Sequence, residues 1–371
     1  MKILIAPNSM KGSLNAFEFA DTVEKAFQDC SPEFSVRKVP VADGGDLTGE
    51  VLGRAMHAQK ITTTVDDPLG RKIQSGYALS GKTAIIEMAA ASGLKHLSSG
   101  ELNPMKTSSF GTGQLMAHAI ENGCTEILLG VGGSATVDGG LGMIEALGFR
   151  FFDNQNNLLH GNGENLQKID RIESPASYVN NVSLKIISDV NNPLLGKNGA
   201  AAVFGPQKGA TPQMVQQLED GLKNWCAILE KESSKKLSSL NGAGAAGGIA
   251  LPLIAFLNAE IVPGAEFILK KLNFESHVKW ADCVITGEGK IDAQTLNDKA
   301  PAVVARLAHQ NGKPIFAIGG SVEREASEAF NGVFSFLNQP LSLENSMKYS
   351  RELLYNFSFE LAKLIASIQE K

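Results

Sequence analysis

Leu-Leu-Gly-Val-Gly-Gly-Ser-Ala-Thr-Val-Asp-Gly-Gly-Leu-Gly-Met, residues 128–143, is the stretch of this sequence that constrains the fold most. The apolar run 127–131 predicts a strand, and a helical pattern follows Gly140. The glycines between them let backbone N–H groups approach a ligand, and the start of a helix attracts anions. The stretch therefore predicts a strand–loop–helix unit whose loop binds phosphate through Gly132, Gly133 and Ser134.

Two common phosphate-binding motifs are absent from this loop. Ser-Ala-Thr stands where a Walker loop needs Lys followed by Ser or Thr. The loop also lacks the Gly-x-Gly-x-x-Gly pattern with a later acidic residue that marks dinucleotide sites. The alternative is a tight turn in which the glycines serve only packing. Asp138 adds an acidic group to the loop, and we expect it to bind a metal ion.

The composition indicates a globular enzyme in a reducing compartment. The 371 residues are 43% hydrophobic and 20% charged, and the length favours two domains. A net charge of −5 argues against a nucleic-acid partner. The four cysteines form no Cys-x-x-Cys pair, which is typical of reduced thiols. With no signal-peptide pattern and no long apolar span, we expect a cytoplasmic protein that binds no membrane. The sequence leaves the oligomeric state open.

The order of strand and helix patterns predicts the fold class. Strand patterns lie at residues 3–6, 34–42, 283–286, 315–318 and 333–336. Helical patterns lie at residues 16–27, 47–56, 300–310 and 346–369. This alternation at both ends of the chain predicts a parallel sheet covered on both faces. In the middle, apolar runs at 60–65, 72–79 and 84–88 predict a β-meander.

We therefore predict an α/β protein built from two α/β domains. The first is a Rossmann-like parallel-sheet domain that is discontinuous over residues 1–64 and 278–371. The second is a mixed α/β domain of residues 65–277, inserted into the first. Because open α/β sheets bind ligands beyond the carboxyl ends of their strands, we expect the active site in the cleft between the domains.

Polar residues follow the predicted strands at five places. They are Asn8, Ser9, Lys11 and Ser13; Asp43, Gly44, Gly45 and Asp46; the loop 132–140; Ser188, Asp189, Asn191 and Asn192; and Gly287, Glu288 and Asp292. Acids and a lysine in such loops match the needs of phosphoryl transfer, namely Mg²⁺ ligands, a phosphate clamp and a base. Three of these loops have a simpler alternative here, namely Asp43 in a turn that caps a helix, Lys11 in solvent, and Asn191 and Asn192 in a turn.

Eight motifs of the chain resemble those of the glycerate kinase type 1 family. They are Ile-Ala-Pro-Asn-Ser-Met-Lys-Gly-Ser-Leu-Asn-Ala (5–16), Pro-Val-Ala-Asp-Gly-Gly (40–45), Thr-Ser-Ser-Phe-Gly-Thr-Gly (107–113), Gly-Gly-Ser-Ala-Thr-Val-Asp-Gly-Gly (132–140), Ser-Asp-Val-Asn-Asn-Pro-Leu (188–194), Phe-Gly-Pro-Gln-Lys-Gly-Ala (204–210), Gly-Ala-Gly-Ala-Ala-Gly-Gly (242–248) and Ile-Thr-Gly-Glu-Gly-Lys-Ile-Asp-Ala-Gln-Thr (285–295). The motifs keep the family's order. The resemblance implies ATP-dependent phosphorylation of D-glycerate, mainly to 2-phosphoglycerate, with 3-phosphoglycerate as the alternative product.

The chain departs from the family's pattern at a few positions. The family usually has Asp where Asn8 stands and Asn where Val137 stands. Two other functions therefore stay open, namely a kinase of a related hydroxy acid and a non-catalytic regulator that binds a sugar acid. A regulator would be expected to lose its strand-end acids, and this chain keeps them.

These observations assign a role to each candidate residue, with ATP and Mg²⁺ as the cofactors. Asp189 is the expected general base, with a metal ligand as its other role and Asp43 as its rival. Lys11 is the expected anion clamp, assisted by Ser9 and Ser13. Asp138 and Asp292 are the expected metal ligands. The remaining substrate or nucleotide contacts are Gly44, Gly45, Gly132, Gly133, Ser134, Asn191, Asn192, Gly287 and Glu288.

Overall fold

The structure is a computed structural model that describes residues 1–45, 47–175, 182–293, 295–296 and 299–369. Its strands are β1 (Lys2–Pro7), β2 (Ser35–Lys38), β3 (Gln59–Asp66), β4 (Lys72–Ser80), β5 (Thr83–Glu87), β6 (Glu126–Gly130), β7 (Arg150–Phe152), β8 (Leu158–Leu159), β9 (Arg171–Glu173), β10 (Ser183–Ile187), β11 (Glu260–Val262), β12 (Cys283–Ile291), β13 (Ile315–Val322) and β14 (Gly332–Ser335).

The α-helices cover most of the remaining regular structure. They are α1 (Ala16–Cys30), α2 (Thr48–Ala55), α3 (Ala89–Ser92), α4 (Phe110–Glu121), α5 (Leu141–Ala146), α6 (Ala200–Phe204), α7 (Pro212–Ser233), α8 (Ala250–Leu257), α9 (Gly264–Lys271), α10 (Phe274–Trp280), α11 (Ala300–Gln310), α12 (Leu343–Lys348) and α13 (Ser350–Gln369). Short 3-10 turns lie at Leu94–His96, Ser99–Glu101, Gly163–Lys168, Pro206–Lys208, Ala245–Gly247 and Arg324–Ala329. Among the described residues, no helix has both the length and the apolar character needed to cross a membrane.

The chain forms two compact units. Unit 1 comprises Met1–Val51 and Gly264–Lys371, and unit 2 comprises Leu52–Pro263. The predicted boundaries at 64/65 and 277/278 fall inside β3 and α10, whereas the compact units divide at 51/52, inside α2, and at 263/264. The α/β class and the insertion of a mixed-sheet unit into a parallel-sheet unit are confirmed.

Unit 1 is built on a parallel sheet in the order β14-β13-β12-β1-β2. Strand β1 is central and apolar on both faces, which is typical of parallel strands with helices on both sides. Ile3 and Ile5 pack with α1 and α13, and Leu4 and Ala6 pack with α9, α10 and α11. The helices thus leave the carboxyl edge of the sheet free to carry ligand-binding loops.

The loop after β1 ends in a strongly specified helix start. Asn15 accepts a hydrogen bond from Glu18 N at 2.9 Å, and Glu18 Oε2 accepts one from Asn15 N at 3.0 Å. This reciprocal capping box stabilises α1 by about 1 kcal/mol. The first turn of α1 therefore fixes the end of the loop formed by residues 8–15.

Unit 2 is built on a mixed sheet in the order β11-β10-β6-β5-β4-β3. The strands β11, β10, β6 and β5 are parallel, and β5, β4 and β3 form the predicted antiparallel meander. The loops after β6 and β10 therefore leave the same edge of the sheet. A further antiparallel sheet, β8-β7-β9, was absent from the prediction, because its strands are only two or three residues long.

Candidate functional site

The loop after β1 holds two serine hydroxyls inside the protein without a hydrogen-bond partner. Ser9 Oγ and Ser13 Oγ are both shielded from solvent and bond to no group among the described residues. The loop backbone is fixed at its start, where Asn8 N donates to Gly287 O at 2.8 Å. Lys11 is exposed between the two serines. Because an unpaired buried hydroxyl costs about 1–3 kcal/mol, this loop is arranged to bond a group from outside the chain.

Asp43 follows β2 and is oriented by two amide groups. Asn8 Nδ2 donates to Asp43 Oδ2 at 3.1 Å, and Gly45 N donates to Asp43 Oδ1 at 3.2 Å. Gly44 has φ +92°, which glycine adopts without strain. The carboxylate therefore closes a turn of its own loop and does not cap α2, which begins at Thr48. Asp46 lies outside the described residues.

The predicted loop position of Gly287 and Glu288 is wrong, because β12 continues through both of them. Glu288 lies opposite Gly319 in the pairing of β12 with β13. A Cβ atom on Gly287 would lie 2.7 Å from the Phe19 ring. Gly287 therefore gives Phe19 room to pack against the sheet, and Glu288 is carried by a rigid strand.

Glu288 belongs to a buried polar cluster at the end of β12. Thr295 Oγ1 donates to Glu288 Oε1 at 2.5 Å and accepts from Asp292 N at 3.0 Å. Burial raises the pKa of Glu288 above its usual range, although the Thr295 hydrogen bond and the charge of Lys299 oppose this. The charges of Asp43 and Asp292 raise the same pKa further. A cation or a proton at this position would thus be stabilised.

Several of these groups of unit 1 line one cavity of about 520 Å³. The cavity lies over the carboxyl ends of β1, β12 and β13, where open α/β sheets bind ligands. Its polar side is formed by Ser9, Lys11, Ser13, Asp43, Glu288 and Lys299. The fold therefore brings together candidates that are far apart in the sequence.

Unit 2 carries the other candidates, and Asp138 has a different environment from the one predicted. Asp138 is completely buried, and its Oδ2 accepts from Ser109 N and Ser109 Oγ, both at 2.7 Å, and from Gly142 N at 3.3 Å. Gly140 N donates to Oδ1 at 3.2 Å. Burial raises the pKa of Asp138, and these hydrogen bonds oppose the rise. The predicted metal role does not fit, because both oxygens bond to the protein and are closed to solvent.

The loop after β6 exposes two of the three residues predicted to bind phosphate. Gly132 is half-buried, and Gly133 is exposed with φ +68°. Ser134 is buried and pairs with Gly93 in an isolated bridge. The backbone groups of Gly132 and Gly133 are therefore accessible to a ligand, while Ser134 is buried in the protein.

Lys208 is a buried cation that the sequence prediction missed. It is 1% exposed, and its Nζ donates to Ser134 Oγ at 2.8 Å and to Thr136 O at 2.7 Å. Burial lowers the pKa of Lys208 to about 7, and the charge of Asp138 acts in the opposite direction. A lysine side chain is usually solvated. Its place in the family-like motif 204–210 was the only signal in the sequence.

The glycine-rich segment 242–248 forms backbone hydrogen bonds with both the loop after β6 and the loop after β10. Gly139 N donates to Gly247 O at 3.0 Å, and Gly244 N donates to Asn192 O at 3.0 Å. Such close contacts between backbones need residues without a Cβ atom. The three segments, which are separate motifs in the sequence, therefore form one set of loops at the carboxyl edge of the unit 2 sheet.

Asp189 lies at the end of β10 in this set of loops. Ser188 N donates to Val262 O at 3.2 Å, so the backbone before Asp189 is still held by the sheet. Asp189 is half-buried and Asn191 is exposed. The Asn192 amide donates within its own loop at 2.9 Å, which occupies the group predicted to bind substrate.

Two carboxylates of unit 1 fit a divalent cation better than the buried Asp138 of unit 2. Among the described residues, no group of three or more His, Cys, Asp and Glu side chains is arranged to hold a metal ion. Mg²⁺ commonly uses one or two carboxylates together with phosphate oxygens and water. Asp43 and Glu288 supply such a pair. Asp292, the other predicted ligand, has its Oδ2 3.1 Å from Lys290 Nζ and is already charge-paired.

Comparisons with known proteins agree over nearly the whole chain. Residues 3–366 match the glycerate kinase family. A glycerate kinase of Halalkalibacterium halodurans is 41% identical over 360 residues, which are 95% of this chain and 95% of that protein. The glycerate 2-kinase of Escherichia coli is 38% identical over 374 residues, which cover 99% of this chain and 98% of that protein.

A solved structure has the same fold. A crystal structure of a protein from Salmonella typhimurium LT2, provisionally named glycerate kinase 2, superposes with a TM-score of 0.85. The two sequences are 39% identical, and the match covers 100% of both chains. The similarity therefore includes both units of the fold.

Proposed function

The chain belongs to the glycerate kinase family and is an enzyme of that family; from this premise we propose that it transfers the γ-phosphoryl group of ATP to D-glycerate. The observation that carries the proposal is the unit 1 cavity, in which Lys11 and two unpaired buried hydroxyls lie beside two carboxylates. Phosphoryl transfer is catalysed mainly by positioning and by neutralising charge, and this set of groups serves both needs. The motifs favour type 1 within the family.

Lys11, Ser9 and Ser13 bind the anionic part of a ligand in this proposal. Their loop is fixed by the capped start of α1, so the hydroxyls are preorganised before a ligand arrives. The backbone of Gly44 and Gly45 lies close to Asp43 and would contact the same ligand in this proposal. Gly45 N already donates a hydrogen bond to Asp43.

Asp189 is the proposed general base for the substrate hydroxyl. It lies at the end of a strand, where the backbone is still held by the sheet, and it is accessible. A base needs such fixed placement within hydrogen-bond reach of the proton it accepts. Asp43 is the rival, because it follows β2 and its carboxylate is oriented by Asn8 Nδ2 and Gly45 N.

The proposed cofactor ion is Mg²⁺, held by Asp43 and Glu288 together with phosphate oxygens. The raised pKa of Glu288 supports a cation here, because a carboxylate that is costly to ionise alone is stabilised by a neighbouring positive charge. When bound, Mg²⁺ would supply neutralisation of the charge on the phosphoryl group. The buried Asp138 has no part in this site.

We further propose 2-phosphoglycerate as the product and the cytoplasm as the compartment. The name of the Escherichia coli relative supports the first point. The four free cysteines support the second, because reduced thiols are typical of that compartment.

The proposal is tested by measuring ADP release with a panel of hydroxy acids, namely D-glycerate, L-glycerate, glycolate and D-lactate. We expect D-glycerate to give the largest kcat/KM and excess chelator to stop turnover. A higher kcat/KM for another acid would identify a kinase of a related substrate. Binding of D-glycerate without ADP release would contradict the proposed phosphoryl transfer from ATP to D-glycerate.

A further inference from the structure

The unit 1 cavity has an apolar wall that the proposed chemistry does not use. Phe336 and Leu337 follow β14, and Leu343 and Met347 lie on α12. Leu343 is 73% exposed and Met347 is 36% exposed, so α12 does not bury them in the core. Single exposed apolar side chains are common, but several on one wall of a cavity are typical of a ligand pocket.

The polar side of the same cavity is suited to bind an anion. Ser9 Oγ and Ser13 Oγ are shielded from solvent without a partner, and the Lys11 ammonium lies between them in the sequence. Hydroxyls and a lysine donate hydrogen bonds to phosphate and carboxylate oxygens. The donors on the polar side therefore match a ligand group with several hydrogen-bond-accepting oxygens, such as a phosphate.

The apolar and the anion-binding sides are adjacent. A Cβ atom on Gly12, in the middle of the serine loop, would lie 3.4 Å from Met347 Cε. One ligand with an anionic end and a flat apolar end would therefore contact both sides. The volume of about 520 Å³ lies in the range of pockets for much larger molecules than a three-carbon acid.

We propose that this cavity of unit 1 is the nucleotide site, with the adenine ring against Leu337, Leu343 and Met347 and the phosphates at Ser9, Lys11 and Ser13. This inference rests on the proposed function, because it takes ATP as the phosphoryl donor. Glycerate could bond to the same donors through its carboxylate, but it would leave the apolar wall exposed to water. Burial of the purine against that wall favours the nucleotide.

The test measures binding of the fluorescent nucleotide mant-ADP with Mg²⁺ to the whole protein, so it needs no turnover. We expect the double variant Ser9→Ala, Ser13→Ala to raise the Kd roughly tenfold, because the phosphates lose two donors. Leu343→Asp should raise the Kd for mant-ADP by a similar factor, because a carboxylate would replace an apolar side chain that contacts the adenine ring. Leu343 is the first residue of α12, where an acid is compatible with the helix.

Matched control variants separate binding from folding. Ser358 has an unpaired buried hydroxyl in α13, and Leu364 of α13 is 55% exposed, and neither lines the cavity. Ser358→Ala and Leu364→Asp should leave the Kd unchanged. The serine variants should also keep the thermal midpoint of the ligand-free protein, because the deleted hydroxyls have no partner in it.

The outcomes distinguish this inference from the proposed function. Unchanged mant-ADP binding in both cavity variants, with a raised KM for D-glycerate, would overturn the inference and make the cavity the acceptor site. Weakened mant-ADP binding in the cavity variants alone supports the inference, even if the wild-type protein fails to phosphorylate D-glycerate. Failure of the wild-type protein to phosphorylate D-glycerate would count against the proposed function and not against the inference.

Discussion

Two charged side chains, Asp138 and Lys208, lie in the interior of unit 2, where an unpaired charge is costly. Asp138 connects the loop after β6 with Ser109, and Lys208 connects the same loop with the turn Pro206–Lys208. Both therefore position a loop and are closed to solvent. The sequence predicted a metal-binding role for Asp138 and gave no role to Lys208, because residue type and spacing do not report which charges become buried.

The lowered pKa of Lys208 predicts a pH-dependent contribution to stability. Above about pH 7 the folded protein holds Lys208 neutral, while the unfolded chain keeps it protonated up to the ordinary lysine pKa of 10.5. Because the unfolded state then binds more protons, stability rises with pH in this window. In Lys208→Met this rise is lost. The free energy of unfolding of the wild type relative to the variant should therefore increase, by up to about 1.4 kcal/mol per pH unit.

Urea unfolding of both proteins at a series of pH values between about 6 and 9.5 measures this difference. Lys185→Met is a useful control, because Lys185 is on β10 of the same unit and is only half-buried. We expect its difference from the wild type to be nearly independent of pH in this window. A difference for Lys208→Met that is equally flat would show that Lys208 stays charged in the folded protein.

Asp189 gives the sharpest prediction for catalysis by a single residue. If Asp189 accepts the proton of the substrate hydroxyl, Asp189→Asn should lower kcat by roughly two to four orders of magnitude, since an amide is not a base. The Kd for mant-ADP should stay close to that of the wild type. Steady-state kinetics and the nucleotide titration measure the two quantities.

Asp170→Asn is the matched control, because Asp170 is an exposed acid of the same unit. Recovery of the Asp189→Asn rate at high Mg²⁺ would make Asp189 a metal ligand. Near wild-type turnover at ordinary Mg²⁺ would exclude both roles and transfer the assignment to Asp43.

At the scale of elements, the sequence predicted the regular structure well wherever the apolar pattern was continuous. The helix expected at 300–310 is confirmed as α11, and the strands β1, β3, β4 and β5 lie within two residues of their predicted ranges. Strand β12 is longer than predicted, because its glycines face Phe19 and β13 instead of forming a turn. The single helix expected at 346–369 is two helices, α12 and α13, divided at Tyr349.

The contact between the segment 242–248 and the loop after β6 predicts unequal effects of two glycine substitutions. Gly247 has φ +76°, and a Cβ atom there would lie 2.4 Å from Thr136 O, which accepts a hydrogen bond from Lys208. Gly247→Ala should therefore destabilise the protein by about 2–4 kcal/mol, through backbone strain and a forced shift of the loop. It should also lower kcat/KM.

Gly196→Ala provides the comparison. Gly196 has a similar φ of +89°, but nothing lies within 4 Å of its added Cβ atom. Backbone strain alone should then cost about 1–2 kcal/mol, with little effect on kcat/KM. Urea unfolding and steady-state kinetics of the two variants test this. Equal losses of stability and activity would show that the close approach of the two loops has no influence on the site.

At the scale of the whole molecule, the sequence predicted the two-domain α/β plan and the loops that carry the candidate residues. The fold then divides these residues between a cavity in unit 1 and a set of loops in unit 2. The predicted domain ranges already divide the candidates in this way, but which of them line one cavity could not be predicted, because that depends on the strand order. The unpaired hydroxyls of Ser9 and Ser13 were also beyond prediction, since hydrogen bonding of a loop is known only once its neighbours are placed.

The most direct test of the proposed activity is to identify the product formed from D-glycerate, ATP and Mg²⁺. Phosphorus NMR of the reaction mixture reports both the loss of the γ-phosphoryl group and the carbon that receives it. We predict one ADP for each phosphoglycerate formed, with the new phosphomonoester on the second carbon. Full consumption of ATP without any phosphoglycerate, or no reaction in a folded protein that binds mant-ADP, would contradict the account.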